Sequence, residues 1–503
     1  MNLLLVTPVI APLLAALAGV ALRDKPVAQR LVGLVGPLSM LASGFALLII
    51  VDSEGIQTTN LGDWPAPFGI VLVADLFSAF MLLMAGIVSL AALVYSFATL
   101  REVNIRFGHY SVANLMLVGV SGAFLTGDMF NLFVWFELML IASFVLLALG
   151  GGRRRIEGSV KYVTINLISS AFFLAGAGLL YAATGTLNMA DLSIKINQVD
   201  NQGLVTTIAM FFIFSFGLKS AAFPMFFWLP ASYHTPSIDV TALFSGLLTK
   251  VGVYALIRTF TLVFANDVDF THTLIMVLAG FTMVVGVVGA VAQYDYRRLL
   301  SFHIVSQIGY MLMGLSIFTP AAIAGAILFI AHNILVKTSL FLVGGLLAHF
   351  SGTESLNQLG DMYRRKPDIA ALFAIAALSL AGLPPSSGFI SKLALVRAGI
   401  EAEAFVITGI SLFVSLLTLY SMIKIWNFAF WRPMPENAPR SAHGLRQVRG
   451  MQLVLMLSPV LLLVGISVAF GFLAQPVFEV ATQAAESLID PSAYVRAVLG
   501  ETS

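Results

Sequence analysis

Five ionisable side chains lie deep inside long apolar runs, each in a separate run. They are Glu137 in FNLFVWFELMLIASFVLL, Lys219 in FGLKSAAFPMFF, Lys250 in LLTKVGVYALIR, Lys337 in HNILVKTSLFLVGG and Lys392 in SGFISKLALVRAG; His332 shares the run of Lys337. A charge at the centre of a bilayer costs roughly 2.5–3.5 kcal/mol on insertion scales, so such residues face a bundle interior or a hydrated path. The chemistry open to this set is proton transfer. Burial or a neighbouring cation eases release of a proton from an ammonium group, and an approaching carboxylate holds the proton again.

Each residue also has a plainer reading. Lys219 and Lys250 could snorkel from ordinary helices on either side of a kink, although Lys250 lies mid-run. Glu137 could be neutral and hydrogen-bonded to a neighbouring helix; with a cationic partner it pairs with Lys219. His332 could be a satisfied core histidine. Five residues separate it from Lys337, about 140° around a helix, so the two would line different sides of one polar path. His303 in RRLLSFHIVSQIGY reads as interfacial. Arg258, Arg397 and Lys424 lie near the ends of apolar runs and can snorkel, and Asp75 and Asp128 at outer ends read as access or capping residues.

These residues need elements that bring backbone polarity into an apolar layer. Lys219 stands five residues before Pro224, and Pro230 and Pro236 follow; a helical proline at 224 would free the carbonyl of Ser220. LSLAGLPPSSGFISK echoes this arrangement. There Pro384 and Pro385 would free the carbonyls of Leu380 and Ala381, Gly382 and Gly388 permit unwinding, and Lys392 follows. Two interrupted runs in corresponding places point to an inverted-repeat transporter with its site at the breaks. The freed carbonyls are candidates for a cation, since no cluster of Asp, Asn and Ser by itself specifies a sodium site.

Composition agrees. Hydrophobic residues make up 59% of the 503 and charged residues 10%, with mean hydropathy +0.95: a polytopic, all-α membrane protein. There is no cysteine, which excludes disulfides and cysteine-ligated iron–sulfur clusters, so redox chemistry would belong to a partner. No Gly-rich phosphate loop suggests ATP as a fuel. No cofactor or metal is expected, and the scattered basic residues give no reason to expect nucleic acid.

About fourteen spans are expected, with the seventh (204–231) and twelfth (368–400) broken. Residues 1–108 hold three N-terminal helices, 109–262 and 272–428 form two inverted five-helix repeats, and 429–503 holds a connector, the last helix and a tail. The N-terminal apolar run has its positive charges after it, so it reads as a first span and not a signal peptide. With the N-terminus outside, 18 of the 27 basic residues fall in inner loops, the arginines at 101, 106, 153–155, 297, 298, 364 and 365 among them, and outer segments hold only Lys195 and Arg496. The outer loops are acidic, with Asp52, Glu54, Asp191, Asp267 and Glu401 among others. The positive-inside rule thus puts both termini outside. The connector FWRPMPENAPRSAHGLRQVRG reads as a basic, partly flexible docking surface, and the tail carries no usable motif.

FVWFELMLIASFVL around Glu137, GLKSAAFPMFFWLPASYHTPS around Lys219, PSIDVTALFSGLLTKVGVYALIR around Lys250, QYDYRRLLSFHIVSQIGYMLMG, HNILVKTSLFLVGG and LSLAGLPPSSGFISK resemble the antiporter-like subunits shared by respiratory complex I and Mrp cation/proton antiporters. The resemblance spans about residues 70–430. TALFSGLLTKVGVYALIR and AGLPPSSGFISK look most like the D-type branch of the Mrp antiporters; the complex I subunit of similar length usually has glutamate where this chain has Lys392. The resemblance implies a coupled ion pair for Glu137 and Lys219, a central relay for Lys250, a link between halves for His332 with Lys337, and a terminal proton site for Lys392.

The function expected is proton translocation in a multisubunit Na⁺/H⁺ antiporter of a bacterial cytoplasmic membrane, with K⁺ or Li⁺ as the other monovalent cations considered. Partners would be the other subunits of a hetero-oligomeric complex, H⁺, Na⁺ and the lipid bilayer. The alternatives are a proton-pumping subunit of a complex I or membrane-bound hydrogenase type of assembly, and an inert scaffold.

Overall fold

A computed structural model describes residues 2–436, 438 and 450–500. Arg440, Arg446 and Arg449 of the expected docking surface lie outside the described residues. In chain order the helices are Leu3–Ala21 (α1), Pro26–Gly33 (α2), Val35–Glu54 (α3), Leu76–Thr99 (α4), Glu102–Arg106 (α5), His109–Leu125 (α6), Met129–Ala148 (α7) and Arg153–Thr184 (α8). Met189–Lys195 (α9), Gln202–Ser220 (α10), Trp228–Ser232 (α11), Ile238–Leu262 (α12), Val268–Ala292 (α13), Tyr296–Ile317 (α14) and Pro320–Ser351 (α15) follow. The remainder are Met362–Arg365 (α16), Pro367–Ala381 (α17), Ser387–Glu401 (α18), Phe405–Trp431 (α19), Met451–Phe472 (α20), Ala474–Ile489 (α21) and Ser492–Leu499 (α22).

Twelve helices or merged helices among the described residues are long and apolar enough to cross a membrane. At the other two expected positions the helices, α6 and α17, are shorter. Helices dominate because a spanning segment must satisfy its backbone internally in a medium without water. Their starts are set by local chemistry. Asp75 and Ser78 form a reciprocal capping box on α4, Asp128 accepts from the Asn131 N–H on α7, and Thr319 caps α15 ahead of Pro320. The capping role expected of Asp75 and Asp128 is thus met. The polar stretch after α3 is not irregular: Gln57–Asn60 (β1) pairs antiparallel with Val71–Ala74 (β2).

Three helices, α12, α14 and α15, are hidden on nearly all sides. They form the axis of the bundle, and α15 packs against α4, α12, α14, α17, α18, α20 and α21. The tail without a legible motif is structured: α21 lies against α15 and buries Ala481, Ala484, Ala485 and Leu488.

Both expected breaks are present, but in neither is a proline inside a helix the cause. Helix α10 ends at Ser220 because Ala221 turns left-handed (φ 62°), and its N–H closes the helix on the carbonyls of Gly217 and Leu218. Pro224 therefore lies beyond the helix end and does not free the Ser220 carbonyl. In the second break Gly382 (φ 92°) terminates α17, and Ser386 caps the start of α18. Gly388 lets the half-helices meet, since a Cβ there would overlap the Ser379 carbonyl oxygen.

Candidate proton path

Glu137 on α7 and Lys219 on α10 converge on Ser170 of α8. The carboxylate Oε1 of Glu137 lies 3.8 Å from Lys219 Nζ. Ser170 stands between them, donating to Glu137 and accepting from Lys219 at 3.2 Å. Lys219 also sits over the Phe136 ring, 4.9 Å from its centroid. Its side chain is 2% exposed and that of Glu137 25%. At 3.8 Å the Coulomb attraction is about 4 kcal/mol for an effective dielectric of about 20, so opening the pair changes the lysine's hold on its proton substantially. The bridging serine was invisible to sequence reasoning, because one hydroxyl in an apolar run has no signature.

Lys250 is wholly buried on α12, and its Nζ donates to the carbonyl of Ser245. That carbonyl belongs to a π-helical stretch, Phe244–Leu248, a form in which the ordinary i→i+4 register is interrupted. Gly246 in this stretch packs against α15 close to the Thr338 hydroxyl. Lys337 precedes Thr338 on α15, fully buried and with no hydrogen-bond partner for its Nζ. Lys250 and Lys392 are both within its electrostatic reach.

Along α14 and α15 the interior is polar without being internally satisfied. Both side-chain ends of Gln307 and Asn333, His303 Nδ1 and His332 Nε2 are buried without a protein partner. Buried polar groups of this kind ordinarily hold bound water. His332 turns away from Lys337, as the helical spacing predicts, and its Nδ1 meets Ser387 Oγ at 2.9 Å. Ser387, Ser467 and Ser379 continue the contact across α18, α20 and α17.

Lys392 completes the set. Its Nζ donates to the carbonyls of Leu380 and Ala381, both at 3.0 Å, and lies 5.2 Å from the Tyr310 ring centroid. These are the carbonyls expected to be freed by the second break. They hold the lysine, which removes them as free cation ligands. No group of three or more His, Asp or Glu residues among the described residues is arranged to hold a metal ion.

Several peripheral expectations need correction. His303 is fully buried, with Nε2 2.5 Å from Ser421 Oγ and the charges of Lys337 and Lys392 within reach. The sequence placed it near an end of its run, but α14 is enclosed there by α19. Arg258 does not snorkel: it is clamped on Asp75 at 2.6 Å and 2.8 Å, both residues buried. Lys424 is also held inside, by the carbonyls of Val291 and Gln293 at 2.8 Å each. Arg397 is exposed, pairing with Glu401 one turn on. Outside the helices, burial pushes the Glu354 carboxyl up, against the opposing pull of Arg297 at 2.6 Å.

The family model described as NADH:quinone oxidoreductase/Mrp antiporter, transmembrane, matches residues 126–418, which contain Glu137, Lys219, Lys250, His332, Lys337 and Lys392. The chain belongs to that family. Among its relatives, the D-type subunit of the Na⁺/H⁺ antiporter of Alkalihalophilus pseudofirmus is 44% identical over 501 residues, covering all of both chains. A chain of the Mrp complex from a Dietzia species superposes with a TM-score of 0.92 at 31% identity, covering 99% of this chain and all of that one. A chain of the archaeal membrane-bound sulfane sulfur reductase, a respiratory membrane complex, gives 0.87 at 25% identity over 98% and 99%. Membership in the NADH:quinone oxidoreductase/Mrp antiporter family makes this a multi-pass membrane protein, and the similarity extends through α20–α22 as well as the matched core.

Proposed function

We propose that this chain is the proton-translocating subunit of a hetero-oligomeric monovalent cation/proton antiporter in a bacterial cytoplasmic membrane, exchanging Na⁺ for H⁺, with both termini outside. The observation that carries the reading is the buried series from the Glu137–Lys219 pair through Lys250 and Lys337, with His332 alongside, to Lys392 at the second break. Four buried lysines with one carboxylate make no sense as packing, because desolvating charges costs several kcal/mol each unless they are paired. They make sense as sites that hold and release protons in turn. K⁺ and Li⁺ are the alternative cations.

The inverted-repeat organisation is part of this reading, with 109–262 and 272–428 as its units. Asp128 caps α7 and bridges to Asn188, while Asp295 caps α14 and bridges to Ser355. The separation is 60 residues in both cases (188 − 128 and 355 − 295). One local device used twice at one spacing supports two copies of a common unit.

Glu137→Ala and Lys219→Ala complexes, purified and reconstituted in vesicles, test the assignment: both should assemble and neither should dissipate a pH gradient on addition of Na⁺. Normal exchange by either would overturn it. A second reading, a proton pump driven by redox partners, is favoured by the likeness to the sulfane sulfur reductase chain. Co-purification with iron–sulfur or flavin subunits would select that reading instead.

A further inference from the structure

A second buried acid–base group lies at the other end of the first half and is not accounted for by the lysine series. His109 is the first residue of α6 and Asp239 the second of α12. Their side chains are each 1% exposed, with His109 Nε2 2.9 Å from Asp239 Oδ2. The contact is close but not aligned as a hydrogen bond. His109 Nδ1 and the Tyr95 hydroxyl, also buried, likewise have no hydrogen-bond partner. Tyr95, from α4, is within electrostatic reach of Asp239, and its hydroxyl occupies a notch at Gly345, where a Cβ would come within 2.5 Å. Gly345 stands on α15, the helix of Lys337, and Asp239 stands on α12, eleven residues or about 16 Å along the axis from Lys250.

The remaining charged and titratable groups facing the pair are Tyr110 beside His109, Arg155 from α8 and, through Tyr110, Arg30 from α2. The site is therefore at the arginine-rich end of the bundle. A purely structural ion pair gains by satisfying its lone pairs and protons in the surroundings, whereas here the His109 Nδ1 and the Tyr95 hydroxyl beside the pair are left without protein partners. Buried polar groups without a protein partner ordinarily hold bound water, which is what a proton-transfer site requires.

We infer that His109 and Asp239, with the Tyr95 hydroxyl, form the port through which the first half of the path exchanges protons with the arginine-rich side of the membrane. A proton from water binds His109 Nδ1, the proton on Nε2 passes to the Asp239 carboxylate, and the imidazole is left neutral. The acid then passes its proton inward along the Tyr95 side, and exchange with water restores the first imidazole tautomer. Proton count and charge balance in each transfer. This inference rests on the proton-translocating reading above.

The test uses the complete complex with its native partner subunits, reconstituted in vesicles, in five forms: wild type, Lys219→Ala, His109→Ala, His109→Gln and Asp239→Asn. Yield of assembled complex and the initial rate of Na⁺-driven pH change are measured from about pH 6 to 9, with and without imidazole. The expected result is full assembly, a loss in rate of at least about ten-fold for both His109 variants and for Asp239→Asn, and recovery of His109→Ala by imidazole. Wild-type rates and pH profiles in the His109 and Asp239 variants, with Lys219→Ala inactive, overturn the port and leave the proton path standing. Failure of both His109 variants to assemble also overturns it, since the pair is then structural. An active Lys219→Ala complex overturns the proton path itself, and the port with it.

Discussion

Lys219 and Glu137 are paired through a third residue, with their charged atoms 3.8 Å apart and the Ser170 hydroxyl in contact with both. The hydroxyl donates to the carboxylate while accepting from the ammonium, so it fixes the geometry in which the pair is closed. Hydrogen bonds to charged groups contribute about 1.5–3 kcal/mol, which corresponds to roughly ten- to hundred-fold in the equilibrium between closed and open pair. Ser170→Ala should therefore leave assembly intact and change the rate of Na⁺-driven proton movement by at least about ten-fold. Vesicle assays on the purified complex decide it; an unchanged rate would mean that the pair closes without its bridge.

Lys392 offers a cleaner separation of roles, because it is both a buried ammonium and the donor that satisfies two carbonyls at the second break. Lys392→Arg keeps positive charge and donors but, as a guanidinium, does not release a proton at accessible pH. It should preserve thermal stability and abolish transport. Lys392→Met keeps the apolar stem and removes both functions, so it should lose stability as well. Transport at normal rate by Lys392→Arg would reduce this lysine to a latch.

The long apolar runs, their order and the charges inside them could be read from the sequence because each carries its own signal. A lysine in a long apolar run stands out without any knowledge of its neighbours. The position of the second break was also legible, down to the carbonyls of Leu380 and Ala381, since Gly382 acts locally, whereas Pro384 and Pro385 lie beyond the helix end. What could not be read was pairing across helices. Arg258 and Asp75 lie 183 residues apart, and neither position announces the other. Ser170, His109 and Asp239 were missed for the same reason: each is an ordinary polar residue until packing gives it a partner. The cause of the first break was misjudged because Pro224 was the conspicuous residue, whereas Ala221 turns the chain.

Close approach of the two half-helices at the second break depends on Gly388. A Cβ at this position would overlap the Ser379 carbonyl oxygen and come 2.8 Å from His332 Cε1. The first obstacle is backbone and cannot swing aside. Gly388→Ala should lower the melting temperature, with a cost at or above the upper end of the roughly 1–3 kcal/mol typical of overpacking. Gly409 on α19 is the control, having open space where its Cβ would go. Gly409→Ala should be neutral or slightly stabilising, as helix propensity predicts. Equal melting temperatures for the two variants would show that the half-helices separate at little cost.

The buried clamp between Arg258 and Asp75 ties the tail to the first half, because Tyr494 of α22 lies over the guanidinium at 5.4 Å. Tyr254 adds a hydroxyl at 3.2 Å to the same arginine, and Asp75 also caps α4. Removing one partner strands a charge in a low-dielectric interior, at a cost of about 3–5 kcal/mol, while removing both spares that penalty. Arg258→Met and Asp75→Asn should therefore each lower thermal stability sharply, and the double variant should lose less than the sum of the two. Tyr494→Ala removes a buried ring along with the cation–π contact, a loss of about 3–5 kcal/mol, and should expose α22 to proteolysis before the rest of the chain. Additive losses in the double variant would mean that the two residues act independently, with Asp75 serving only as a cap.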